Sequence, residues 1–181
     1  MIFSKGNTIK TTITGSSSLN DTVYQVMKQT DGYSISSESL YRRSGADYLD
    51  YVREDKYTAS FAYSKSLLTE ILFLNQYVQQ GNYWESPEFQ DVSTFDQVII
   101  LKYGYKCLKS NGVATVNGKV FANVLIIEMR PQIRALGNPW SYTNEIYTYY
   151  YAKGIGLIYY YAISNFGYRK AELQLNNWLV K

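Results

Sequence analysis

Gly112-Val113-Ala114-Thr115-Val116-Asn117-Gly118-Lys119-Val120-Phe121-Ala122-Asn123-Val124 is the stretch that decides how the chain folds. Two runs carrying β-branched residues flank an Asn-Gly pair. Asn-Gly accepts the positive φ angles that both central positions of a two-residue type I′ turn require. The reading is a β-hairpin, with one arm over residues 112–116 and the other over residues 119–129. Outward from it the same chemistry continues. Residues 97–108 read as a long strand. Residues 145–151 and 157–163 read as a second hairpin around Gly154-Ile155-Gly156. A turn at Asn165-Phe166-Gly167 leads to a closing strand over residues 168–180. There, Ala171, Leu173, Leu175 and Leu179 fall on one side and Lys170, Glu172, Gln174 and Asn176 on the other, a dry face and a wet one. Residues 130–140, with Pro131, Gly137 and Pro139, read as a connection.

The first half follows the same two-residue period. Strands are expected over residues 8–14, 21–30, 33–42 and 48–53. Turns are expected at Gly15-Ser16-Ser17-Ser18, Asp31-Gly32 and Ser44-Gly45-Ala46-Asp47. Residues 57–63 and 67–74 are apolar runs too short for period alone to separate strand from helix. Ser66 and Glu70 would suit a short helix, and the reading leans to strand. Residues 79–96, with Gly81, Asn82 and Pro87, read as a long loop. The sum is about ten or eleven strands. The fold expected is all-β: one strongly curved antiparallel sheet, an open or half barrel, with at most one or two short helices. No composition shift marks a boundary, so residues 1–181 are read as a single domain.

Composition removes several chemistries. The 181 residues include no histidine, which excludes Ser-His and Cys-His triads, histidine zinc sites and imidazole proton shuttles. Cys107 is alone, so neither an internal disulfide nor a cysteine-rich metal site can form, and it reads as a small sheet or core residue. A net charge of +3 gives no electrostatic footprint for nucleic acid. No stretch reaches the roughly 20 apolar residues of a membrane-spanning helix. Residues 1–10 have no apolar core, so no signal peptide is read in this chain. The ending Leu179-Val180-Lys181 lacks the aromatic terminus usual in outer-membrane barrels.

The string Tyr149-Tyr150-Tyr151-Ala152-Lys153-Gly154-Ile155-Gly156-Leu157-Ile158 resembles a signature of uncharacterised Bacteroidetes envelope lipoproteins. The resemblance runs in order along roughly 140 residues. Its other elements are Tyr41-Arg42-Arg43-Ser44-Gly45-Ala46-Asp47-Tyr48, the segment from Phe73-Leu74 to Gly81-Asn82-Tyr83-Trp84, the hairpin from Val116 to Val124, and Glu172-Leu173. Two departures are Lys119-Val120 before Phe121 and the missing leader with its lipobox cysteine. The resemblance implies a curved half-barrel similar to lipoprotein carriers, and no enzyme activity or cofactor. It also implies a periplasmic or cell-surface location, with a membrane tether through a lipidated N-terminus that is not part of this chain.

Among 20 tyrosines, Tyr147, Tyr149, Tyr151, Tyr159 and Tyr161 are the candidate ligand-binding residues. Strand alternation places Tyr147, Tyr149 and Tyr151 on one face, with Tyr150 opposite. A tyrosine row joins apolar rings to polar tips and suits a glycan, an apolar ligand or a protein. The plainer reading is cross-strand aromatic pairing. Gly154 and Gly156 read as a turn, since no phosphate-binding context follows them. Lys102-Tyr103-Gly104-Tyr105-Lys106 echoes aromatic RNA-binding strands, without their spacing. Two acidic runs, Asp47, Asp50, Glu54 and Asp55, and then Glu85, Glu88 and Asp91, supply the carboxylates a glycosidase or a calcium site would need, without EF-hand spacing. The expectation is a non-enzymatic envelope protein with a binding or scaffolding role, needing no metal or cofactor. The alternatives are a surface-assembly interaction module using the tyrosine face, and a carboxylate hydrolase.

Overall fold

Alternating β-branched, aromatic and polar residues produce strands almost everywhere. The structure, a computed structural model, describes residues 10–30, 36–52, 69–92, 98–135, 137–164 and 169–175. In chain order the strands are β1 (Lys10–Leu19), β2 (Thr22–Thr30), β3 (Ser36–Ser44), β4 (Asp47–Val52), β5 (Thr69–Asn75), β6 (Tyr83–Glu85), β7 (Phe89–Val92), β8 (Val98–Val116), β9 (Lys119–Ala135), β10 (Ser141–Tyr142), β11 (Glu145–Ala152), β12 (Gly156–Ser164) and β13 (Arg169–Gln174). No helix occurs among the described residues. One sheet runs β1-β2-β3-β4-β5. The other runs β13-β12-β11-β9-β8-β6, with β7 beside β8 and β10 beside β9. Neither closes into a barrel, so the fold is open, antiparallel and all-β as expected from the sequence, with two sheets where one was expected. The described residues fall into two compact units, one within residues 10–77 and 86–99, the other within residues 78–85 and 100–175.

The first unit is a meander. Its opening turn differs from the sequence reading. Gly15, Ser16, Ser17 and Ser18 are not a turn but continue β1, paired with Val26, Gln25, Tyr24 and Val23, past a bulge between Ile13 and Gly15. The turn is Asn20-Asp21, with φ of 47° and 60°. Asn and Asp tolerate this left-handed conformation, so the pair serves as a two-residue hairpin loop. The Asp31-Gly32 turn and the strand over residues 57–63 lie outside the described residues. Val26 opposes Leu40, Leu40 opposes Tyr51, and Tyr51 opposes Glu70, which sets one row across four strands. Tyr24, Leu40 and Tyr51 bury their side chains on that face, with Leu19 and Val26 packed against them. The segment open to both readings is strand, as β5.

The second unit is organised by the β8–β9 hairpin. Asn117 and Gly118 take φ of 49° and 74° in its turn, as the type I′ geometry demands. Both arms run longer than expected. Residues 98–108 and 112–116 belong to the single strand β8, and β9 continues through Pro131 to Ala135. Pro131 is tolerated because it falls between two ladders. The pairing with β11 ends at Met129, and that with β10 begins at Gln132. The expected long loop over residues 79–96 holds the short strands β6 and β7.

Asparagines inside the long strands reset the alternation. Asn111 and Asn123 each take φ of 53°, and an αL residue within a strand marks a bulge that shifts the faces by one. Phe121 and Val124, three apart, therefore enter one core with Val116, Ala152 and Ile158. Beyond the bulge alternation resumes, so Val124 and Ile127 point to opposite faces. They are 0% and 1% exposed. β9 thus has no wet face at its centre. Each such side chain contributes about 1.5–3 kcal/mol of burial.

Candidate functional site

In an antiparallel pair, directly opposed residues share a face. Tyr149 opposes Tyr160, Tyr150 opposes Tyr159, and Thr148 opposes Tyr161. The five tyrosines named from the sequence therefore divide between two faces. Tyr147, Tyr149 and Tyr151 stand together and are joined by Tyr160. Tyr159 and Tyr161 stand on the other face with Tyr150. Spacing along each strand was read correctly, but only the register says which β12 tyrosines face which β11 ones. A bulge at Ile158 also separates the pair Tyr150–Tyr159 from Tyr151–Leu157. Ring centroids lie 5.1 Å apart for Tyr149–Tyr160, 6.1 Å for Tyr149–Tyr151 and 6.2 Å for Tyr147–Tyr160. On the opposite face Tyr150 lies 5.2 Å from Tyr159, and both pack on the Val124–Ile158 core.

The Tyr149 face extends across the sheet. Leu125, Ile127 and Met129 of β9 oppose Tyr151, Tyr149 and Tyr147. Beyond β9, Tyr103 and Tyr105 stand two apart on β8, and Trp84 of β6 stacks on Tyr105 at 5.4 Å and 10°. Burial pushes the Tyr149 phenol well above its ordinary value, and the phenols of Tyr151, Tyr160, Tyr105 and Tyr147 add to the effect. Tyr147 is raised by burial and then by Glu145, whose carboxylate accepts its hydroxyl. These phenols stay protonated, so the face presents rings and neutral hydroxyls over an aliphatic strip. Each ring pair adds about 0.5–1.5 kcal/mol beyond its buried area.

Alternation sends Tyr83, Glu85, Lys102 and Gly104 to the reverse face, and Gln132 and Arg134 of β9 meet them there. Glu85 Oε1 accepts from the Tyr83 hydroxyl at 2.6 Å and from Gln132 Nε2 at 3.1 Å, and Oε2 accepts from Lys102 Nζ at 2.6 Å. These donors, Lys102 first, hold the Glu85 carboxyl down at about 2. Burial and the Glu85 carboxylate raise the Tyr83 phenol. Gly104 makes room for the cluster, because a Cβ there would lie 2.6 Å from the Tyr83 hydroxyl oxygen and 3.0 Å from Gln132 Nε2. Trp140 completes it, with Lys102 Nζ and Arg134 Cζ each 4.8 Å from its ring centroid. Gln132 is only 5% exposed, whereas Tyr83 is 52% and nearby Tyr142 58% exposed. The sequence reading missed this cluster. It placed Glu85 in an acidic run, and Lys102 and Gln132 lie 17 and 47 residues away in sequence.

The remaining carboxylates scatter. Asp47 accepts from Asn75 Nδ2 at 2.6 Å in the β3–β4 turn region. Glu54, Asp55 and the Asp91 side chain lie outside the described residues. Among the described residues no three Asp, Glu, Cys or His side chains gather as a metal site would need. Glu85 carries no proton to donate at neutral pH, so it is unsuited to general-acid work. Cys107 is fully buried and its thiol is raised by that burial, as befits a sheet residue. Gly154 and Gly156 sit in the β11–β12 turn.

With this geometry in hand the chain was compared with known proteins. No protein family, curated protein or solved structure matches it.

Proposed function

We propose that the chain is a non-enzymatic bacterial cell-envelope protein that binds an envelope component on the tyrosine face of its second sheet. The observation that carries this reading is the row of half-buried rings Tyr147, Tyr149, Tyr151 and Tyr160 on one face of β11 and β12, backed by the buried Tyr105 and Ile127. Rigid rings with polar tips bury large areas at low entropic cost, which suits adhesion to amphipathic surfaces. The likeness to Bacteroidetes envelope proteins supports the periplasm or cell surface as its place. In the test, the full chain is cosedimented separately with peptidoglycan, lipopolysaccharide and phospholipid vesicles. One of the three should carry the wild-type chain down and fail to carry the Tyr151→Ser/Tyr160→Ser variant. Binding of none, or equal binding of the variant, overturns the reading.

A second reading, an interaction module of a surface assembly, is favoured by the exposed aliphatics Val113, Val120 and Leu157 of β8, β9 and β12. Light scattering decides it. A concentration-dependent multimer abolished by Val120→Lys supports the module, and a monomer at every concentration rejects it.

A further inference from the structure

We infer that the cluster of Tyr83, Glu85, Lys102, Gln132 and Tyr142 is a saccharide-binding site, on the opposite face of the sheet from the tyrosine row. The inference rests on reading the chain as a binding protein, and it names a second surface and a ligand class.

The chemistry starts with Glu85. An ionised carboxylate offers about four acceptor positions, and three of them are taken by Tyr83, Lys102 and Gln132. Lys102 has three donor hydrogens and gives one to Glu85. One acceptor and two donors therefore remain where carboxylate and ammonium already neutralise each other, with the Arg134 guanidinium beyond them on the Trp140 ring. That supply fits neighbouring hydroxyls, each of which donates once and accepts once. It fits a free anion poorly, because Glu85 would repel it, and a free cation poorly, because Lys102 would.

The geometry is preformed. Gln132 is buried and holds its amide against Glu85 and, at 3.4 Å, against the Tyr83 hydroxyl. Trp140 lies against Lys102 and Arg134 and fixes the ammonium from the other side. Little ordering cost is left for binding. Tyr83 and Tyr142 then offer exposed rings at the rim, and Tyr142 shares the cluster's face because it directly opposes Gln132. A pyranose has an apolar face of C–H groups that packs on such rings and an equator of hydroxyls that reaches the polar cluster. A few convergent polar groups beside aromatic walls are the general form of a small-ligand site.

The full chain, fluorescently labelled, is tested on a microarray of immobilised neutral and uronate-containing oligosaccharides. The wild type is expected to bind a subset of spots. Tyr142→Ala removes an exposed ring that the fold does not need, and should weaken that binding about tenfold or more. Tyr77→Ala, which removes an exposed tyrosine ring outside both the cluster and the tyrosine face, should leave it unchanged. Wild-type binding that Tyr142→Ala leaves intact overturns the inference. So does an empty array beside intact tyrosine-dependent cosedimentation, and in that case the broader reading stands. An empty array together with no cosedimentation overturns both.

Discussion

Each unit of the chain builds one cluster from a tyrosine, a carboxylate and a cation, and the two put it to different use. In the first unit the Tyr24 hydroxyl donates to Glu70 Oε1 at 2.9 Å, and Arg42 grips the same carboxylate through Nε and, at 2.6 Å, through its second guanidinium nitrogen. The Tyr24 ring is buried and lies 5.2 Å from Tyr51. In the second unit Tyr83, Glu85 and Lys102 make the same kinds of bond, but the Tyr83 ring faces water. The first cluster fastens strands β2, β3 and β5. The second holds polar groups in place at the surface. Ring burial, rather than the identity of the bonded groups, separates a fastening from a site.

Removing the cations should break this symmetry most visibly. Arg42→Met leaves the half-buried Glu70 carboxylate facing an apolar side chain, and is expected to cost about 2–3 kcal/mol in urea unfolding. Lys102→Met touches a more exposed carboxylate and is expected to cost about 1 kcal/mol or less. Equal losses would erase the distinction. The hydroxyls give a smaller version of the same contrast. Tyr24→Phe is expected to cost about 1 kcal/mol, whereas Tyr83→Phe should stay within about 0.5 kcal/mol.

Acid should reach both clusters in the same direction. Arg42 first, and then Tyr24, hold the Glu70 carboxyl below its ordinary value, and Lys102, Tyr83 and Gln132 hold Glu85 at about 2. A carboxyl depressed in the folded state contributes stability that is complete above its unfolded value of about 4.3, and that contribution is lost as pH falls through the folded value. For Glu85 the window runs from about 4.3 down to about 2. Glu70→Gln and Glu85→Gln should each flatten the acid limb of a stability–pH curve. A steeper limb in either variant would contradict the assignment.

What could be read from the residues is what short-range rules govern. Asn117-Gly118 was legible because a two-residue turn states its own φ requirement, and the β11–β12 pair because Gly154 and Gly156, both at positive φ, mark its turn. The serine run after Gly15 misled because small polar residues favour turns on average, yet here they pair along β1. Asn111 and Asn123 reset which side chains face the core, and no local pattern distinguishes them from other strand asparagines. The clusters were illegible for a further reason. Glu70 meets partners 28 and 46 residues away, and only register brings them to one face. The same cause split the predicted tyrosine set, since Tyr149 meets Tyr160 rather than Tyr159 or Tyr161.

Gly104 offers the sharpest test of the second cluster, at little change in stability. Its φ lies outside the left-handed region, so alanine suits the backbone, and the atoms nearest the added Cβ belong to the Tyr83 and Gln132 side chains. The Tyr83 ring already borders water and can swing outward, so Gly104→Ala should alter stability by less than about 1 kcal/mol. The displaced phenol would leave both its burial and the Glu85 carboxylate, the two causes that raise it. Its titration, followed by NMR with labelled tyrosine, should fall back toward about 10. If the phenol keeps its raised value in Gly104→Ala, Tyr83 is not held by the space that glycine leaves. The second cluster would then be no better organised than any exposed ion pair.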